Sequence, residues 1–170
     1  RQVKTITYAF LYGAENQKIG LSYDNLLSPE AAKKKGAEIR KAYMEAIPGL
    51  SDLVEATKRV SESGSIRAID GRNISVDKGH KSLNYLLQAS AAVIAKRWCI
   101  CTDEVLKSTL YPHERYAFVH DEQVFGAPPS SAKYVAFACK FAAAQAGEYY
   151  KLRIPIAADA NIGDNWAEVH

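Results

Sequence analysis

Lys4, Tyr8 and Tyr12 recur at intervals of four through "KTITYAFLYGA", a stretch otherwise built of Ala, Leu, Ile, Phe and Thr that stops at Gly13. On a helix, side chains four apart differ by about 40° around the axis, so the three form one slowly turning stripe with Arg1 beside it. An ammonium followed by two phenol rings offers a charge for phosphate, a ring for a sugar and a ring for a base. The same spacing also suits an amphipathic helix whose tyrosines are half-buried, and periodicity alone does not separate the two readings. Thr5, Ile6 and Thr7 have poor helix propensity, so packing or function must hold this segment helical.

Two further constellations carry polar groups into apolar surroundings. "VHDEQV" reads as a tight hairpin between strands expected to be buried, with His120 and Asp121 at the turn and Asp121 and Glu122 directed to opposite faces. A carboxylate at a hairpin tip suits magnesium, which takes one or two protein carboxylates together with substrate phosphates; a charged turn that only keeps a hairpin soluble is the plainer alternative. "HKSLNYLLQASAA" sets Asn84 and Gln88 four apart on a helix of leucine and alanine. Such an amide strip can sense the acceptors that every base pair shows in the minor groove, or can close a local structural network.

These residues need elements to position them. A helix is expected from about Arg1 to Tyr12, ended by Gly13, and a short helical turn at 15–20. Ser28-Pro29-Glu30 marks a helix start with an N-cap, a first-turn proline and an acid near the positive end. That helix ends before Pro48-Gly49, and another runs from Leu50 to about Ser63. The lysines 33–35 read as a solvated face. From Gly64 the texture changes: "SIRAIDGRNISV" alternates around Asp70-Gly71, a two-residue hairpin signal. A long helix is expected from Lys81 to Leu110, a hairpin around residues 116–126, an alanine-rich helix after Pro128-Pro129, and a last strand, "YKLRIPIAAD". The layout is α+β: a helical subdomain to residue 63, then residues 64–170 with an antiparallel sheet.

The 170 residues, 48% of them hydrophobic, suffice for one substantial core. The 22 basic residues against 19 acidic ones give a net charge of +3, too even a balance to indicate nucleic acid by itself. Cys99, Cys101 and Cys139 cannot all pair and lack the partners of a zinc site; they read as buried thiols. No apolar run of membrane-spanning length occurs and no leader opens the chain, which gives the expectation of a cytoplasmic protein without a membrane partner.

The order K-x-x-x-Y-x-x-x-Y-G, D-G-R, N-x-x-x-Q and V-H-D-E resembles the carboxy-terminal half of family A DNA polymerases, above all the replicative enzymes of lytic bacteriophages. "KTITYAFLYGA" looks like that family's motif B on the fingers and "VHDEQV" like motif C in the palm; the terminal "NWAEVH" is similar to the phage branch and points to a natural carboxy terminus. The resemblance implies a fingers portion at 1–63 and a palm portion at 64–170. It implies that Lys4 binds the incoming deoxynucleoside triphosphate, Tyr8 faces its sugar, and Tyr12 with Gly13 covers the nascent pair. Asn84 and Gln88 match minor-groove sensors at the primer terminus, and His80 a histidine facing the DNA. His120 would contact the primer end, Asp121 would ligate two magnesium ions, and Glu122 would assist.

Departures are equally informative. The arginine usually found four before the lysine falls outside the chain, Ala9 stands where a glycine is frequent, and no motif A strand occurs. Two metals about 4 Å apart need carboxylates on both sides. The expectation is therefore an α+β chain incomplete without an upstream polypeptide bearing motif A and the thumb, whether by a split gene, intein processing or proteolysis. Two rivals remain: a single-subunit RNA polymerase, against which Tyr8 and Glu122 argue, and a non-catalytic nucleic-acid-binding remnant, against which the joint presence of Lys4, Tyr8, Tyr12 and Asp121 argues.

Overall fold

The computed structural model describes residues 2–169. Arg1, expected beside the Lys4 stripe, and His170, the last residue of the tail motif, lie outside the described residues. The chain divides into two compact units, the first ending at Ala89 and the second beginning at Ser90.

The first unit opens with α1 (Gln2–Leu11), α2 (Asn16–Tyr23), α3 (Pro29–Ala46) and α4 (Leu50–Val60). In α1 the poor helix formers are held by tertiary contacts. Ile6 and Phe10, four apart, are buried with Ile19 and Leu50, and burial of each such side chain contributes roughly 1.5–3 kcal/mol. Phe10 stacks on Tyr43 of α3 at 5.6 Å between centroids. The Thr7 hydroxyl bonds to Val3 O at 2.9 Å and lies 2.5 Å from the Tyr43 hydroxyl. Helices α2 and α3 approach so closely that a Cβ on Gly20 would lie 1.9 Å from Ala32 O, and one on Gly36 1.7 Å from Asn16 O. Ser28 caps α3 by accepting from Ala31 N, as its sequence indicates.

Strands β1 (Ser65–Arg67) and β2 (Asn73–Ser75) pair antiparallel. The hairpin is not the expected two-residue turn. Ala68 N donates to Arg72 O and Gly71 N to Ala68 O, so the loop is Ile69-Asp70-Gly71 with Gly71 at φ +85°. This is a three-residue connection with a left-handed glycine, which the same Asp-Gly pair also serves. Ile66 and Ala68 are buried, and β1 packs on α4, so this hairpin belongs with the helices before it in the first unit. A 3₁₀ turn at Gly79–Lys81 then leads into α5 (Ser82–Lys107), whose residues fall on either side of the division between units.

The second unit contains the rest of α5, the antiparallel pair β3 (Glu114–Val119) and β4 (Glu122–Gly126), α6 (Pro129–Tyr149) and the short α7 (Trp166–Val169). Small residues bring α6 into its core: Ala138, Ala142, Ala143 and Ala146 are at most 1% exposed, and Leu106, Val135 and Cys139 pack together. The Trp98 ring nitrogen donates to Cys139 O at 2.7 Å, and Ser131 donates to Pro112 O at 2.8 Å. None of the three cysteines is in a disulfide, and burial pushes the Cys139 thiol up to about 11. Cys99 is only half-buried.

The last expected strand does not form. Lys151 takes φ +53° just after α6, and residues 152–162 continue without regular structure. Pro155 removes one donor from that run, and among the described residues strands β3 and β4 pair only with each other.

Candidate nucleotide-facing site

The α1 stripe is solvent-facing. Tyr8 and Tyr12 are 46% and 51% exposed, and their rings stack at 5.9 Å between centroids with planes 13° apart. Lys4 Nζ sits 5.8 Å from the Tyr8 centroid and has no ion pair or hydrogen bond among the described residues. Ile6 and Phe10 on the opposite side are buried, while each tyrosine keeps about half of its surface exposed, as an amphipathic helix would also place them. What remains outside is a cation and two parallel rings on one face, free to meet a ligand.

Gly13 closes that face. Its φ is +70°, and a Cβ there would lie 2.6 Å from His80 O, so two residues singled out separately in the sequence lie against each other. Both line a cleft of about 600 Å³ in the first unit, together with Asn16, Gln17, Arg40 and Lys58. Arg40 is committed to structure: it donates to Asn16 Oδ1 at 2.8 Å and to Ala14 O, and covers the Phe10 ring. Burial lowers its pKa. Gly13→Ala combines a left-handed φ with a backbone clash. It is expected to lower stability by about 1–3 kcal/mol, read as a reduced denaturation midpoint.

Asn84 and Gln88 lie in the first three turns of α5. Gln88 is exposed and Asn84 less so, and Asn84 Oδ1 is covered without a hydrogen-bond partner. Asn84 Oδ1 thus closes no hydrogen bond among the described residues. His80, exposed, precedes them in the 3₁₀ turn.

His120 and Asp121 form the two-residue turn of the β3–β4 hairpin, with Val119 opposite Glu122. His120 takes φ +54°, so a histidine rather than a glycine occupies a left-handed turn position. Both turn residues are exposed and Glu122 is partly buried. The flanking strands are not buried as expected: Phe118 and Val119 are 39% and 48% exposed, because a two-stranded sheet leaves a face open. Sequence periodicity did not reveal how this hairpin is anchored to α5. Gln123 Nε2 donates to the buried Thr102 hydroxyl at 3.1 Å, and Arg115 donates to Cys99 O at 3.1 Å and pairs with Asp103 at 2.8 Å. These tethers fix the strands while leaving the tip free.

Lys4, Tyr8, Tyr12, Gly13, His80, Asn84 and Gln88 belong to the first unit, and His120, Asp121 and Glu122 to the second. No group of three or more His, Cys, Asp or Glu placed to hold a metal occurs among the described residues. No helix among them is long and apolar enough to cross a membrane.

With that arrangement in view, the likeness to known proteins is specific. Residues 1–168 match the family described as DNA polymerase family A, and the chain belongs to that family. Its kinship with the phage branch follows from similarity to the DNA-directed DNA polymerases of Enterobacteria phage T3 and Escherichia phage T7. Each is 31% identical over 189 aligned positions, covering 98% of this chain and 26% of the relative. DNA polymerase I of Pseudomonas aeruginosa is 24% identical, across 100% of this chain and 19% of its own length. The fold is similar to that of the POL domain of Pol1 from M. smegmatis, solved in complex with DNA primer-template and dNTP: TM-score 0.75, 23% identity, 92% of this chain and 28% of that one. The chain spans about a quarter of the length of the phage relatives.

Proposed function

We propose that this chain is the motif B to motif C portion of a phage-type DNA polymerase, and that it adds deoxynucleotides to a primer when completed by a polypeptide carrying motif A and the thumb. The observation that carries this reading is the exposed Lys4–Tyr8–Tyr12 face ending at Gly13, in a chain of family A. Membership in that family favours it over a single-subunit RNA polymerase.

In the reaction the primer 3′-hydroxyl attacks the α-phosphate of a deoxynucleoside triphosphate and pyrophosphate leaves. Lys4 holds the triphosphate and offsets the charge that develops on the leaving oxygens. Tyr8 lies against the sugar, and Tyr12 with Gly13 bounds the space for the base. His80, Asn84 and Gln88 bear on the primer-template, and His120 orients the primer end. The donor chemistry of the second unit fits magnesium in part: Asp121 is an accessible hard oxygen ligand with Glu122 beside it in sequence, and magnesium is satisfied by one or two carboxylates plus phosphate and water. A bound pair of ions would neutralise phosphate charge and promote ionisation of the attacking hydroxyl. Asp121, assisted by Glu122, would hold them from this side; the carboxylate on the other side must come from the remaining three-quarters of the polymerase.

Primer extension in magnesium by this chain alone, by the upstream polypeptide alone, and by both together tests the proposal. Synthesis is expected from the mixture only. Robust synthesis by this chain alone would overturn the need for completion, and a stable complex that binds DNA without extending it would support the remnant reading. Tyr8→Phe supplies an independent check. A phenol facing the sugar can replace the polar partner lost with a 3′-hydroxyl, and a phenyl ring cannot. With a charge-assisted bond at stake, about 1.5–3 kcal/mol, rejection of dideoxynucleotides is expected to rise about 10–100-fold. An unchanged ratio of kcat/KM for deoxy and dideoxy substrates would show that Tyr8 does not face the sugar.

A further inference from the structure

The 3₁₀ turn ahead of α5 gathers more positive charge than the resemblance accounts for. Lys78, His80 and Lys81 succeed one another through it, and Lys58 of α4 passes beside Gly79, its Cγ 3.6 Å from where a Cβ would stand. Glu15 lines the cleft with Lys58 and His80, and Asp77 is the acid bonded to Lys81. Asp77 accepts from Lys81 Nζ at 3.3 Å through one carboxylate oxygen and from the Tyr85 hydroxyl at 2.8 Å through the other. Lys81, the last residue of the 3₁₀ turn that runs into α5, precedes Asn84 by three residues and Gln88 by seven, the spacing that continues the stripe of the two amides.

The Asp77–Lys81 pair is open to solvent, with side-chain exposures of 54% and 35%. Exposed pairs of this kind hold little free energy and yield to a competing anion. The Tyr85 hydroxyl and the Lys81 ammonium keep the Asp77 carboxyl below the usual range, and Asp77 in turn raises the pKa of Lys81. Both groups are therefore charged near neutrality. Lys58 and Lys78 make no ion pair among the described residues. Phosphates of the strands that border a minor groove run alongside any protein stripe that reads its floor. An ammonium on that stripe is within reach of them.

Building on the reading of Asn84 and Gln88 as minor-groove sensors, we infer that Lys58, Lys78 and Lys81 form a site for backbone phosphates of the primer-template, and that Asp77 restrains it by competing for Lys81. Tyr85 keeps Asp77 in place through the second oxygen, so the restraint persists when Lys81 turns to a phosphate. The arrangement weakens the hold on the duplex without altering any base-edge contact, which suits an enzyme that must shift along its product after each addition.

The test is primer-template affinity of the intact polymerase, measured by fluorescence anisotropy across a salt series. Asp77→Asn is expected to tighten binding about 3–10-fold at low salt and to steepen the slope of log K against log salt by up to about 1. Lys81→Met introduced alongside it is expected to cancel both changes. Asp77→Ser, which removes the charge by a different shape, gives the same signs. Weaker or unchanged binding in both Asp77 variants would overturn the inference, as would equal tightening with Lys81→Met present, since Lys81 would then not be the contact. The minor-groove reading fails separately. Unchanged extension of mismatched primers by Gln88→Ala, with the salt effects as expected, would overturn that reading and leave the phosphate site standing.

Discussion

Asp121→Ala is expected to reduce primer extension by about 10³-fold or more while leaving primer-template affinity within about twofold. The magnitude follows from the proposed role. A metal that neutralises phosphate charge in the transition state contributes several kcal/mol, and each 1.36 kcal/mol is tenfold in rate. Structure and chemistry separate cleanly at this position. Asp121 is exposed at the tip of a turn, and the hairpin is anchored elsewhere, through Gln123 to Thr102 and through Arg115 to Asp103 and Cys99. Loss of the carboxylate therefore leaves the fold intact, with a stability change inside about 0.5 kcal/mol. Single-turnover extension in saturating magnesium, paired with a binding isotherm, makes the measurement. A loss of only a few-fold would contradict the metal role, and a large loss of affinity would assign Asp121 to DNA contact instead. Asp121→Asn retains the shape of the turn and should follow alanine in rate, because the charge is what the ion requires.

How much of this could be read from the sequence depended on whether a signal was local. The α1 stripe was legible because its complement, Ile6 and Phe10, carries the opposite periodicity, and Ser28-Pro29-Glu30 marked the start of α3 to the residue. The turn at His120-Asp121 followed from two flanking apolar runs. Signals that depend on a partner misled. Residues 150–159 have strand composition, yet a strand exists only beside another, and among the described residues β3 and β4 pair with each other alone. The strands around Asp121 read as buried for a related reason: their apolar residues show a face that can be covered, not that this chain covers it. Asp70-Gly71 marked a hairpin correctly but left its loop length open, since a left-handed glycine serves two turn types. The Asp77–Tyr85 and Gln123–Thr102 bonds join residues 8 and 21 positions apart, and no periodicity reports which way such side chains point.

The second large effect is at Lys4. Lys4→Ala is expected to lower kcat/KM for every deoxynucleoside triphosphate by about 10²–10³-fold, the range found when one preorganised donor to developing negative charge is removed. Its surroundings make this a charge effect, not a packing effect. Lys4 is exposed on α1 with its ammonium 5.8 Å from the Tyr8 centroid. A cation–π contact at such a site is worth only about 0.5–1 kcal/mol, too little to hold the side chain against a triphosphate. Helix α1 owes its place to Ile6, Phe10 and the bond between Thr7 and Tyr43, none of which the substitution touches. The loss should therefore be uniform over the four bases, and the denaturation midpoint should not move. Lys4→Arg keeps the charge on a different fork and is expected to recover part of the rate. If Lys4→Arg were no better than alanine, position would matter more than charge. If Lys4→Ala lost less than about tenfold, the stripe on α1 would not be the face that holds the triphosphate, and the ring pair Tyr8–Tyr12 would have to be assigned to the nucleic acid strand instead.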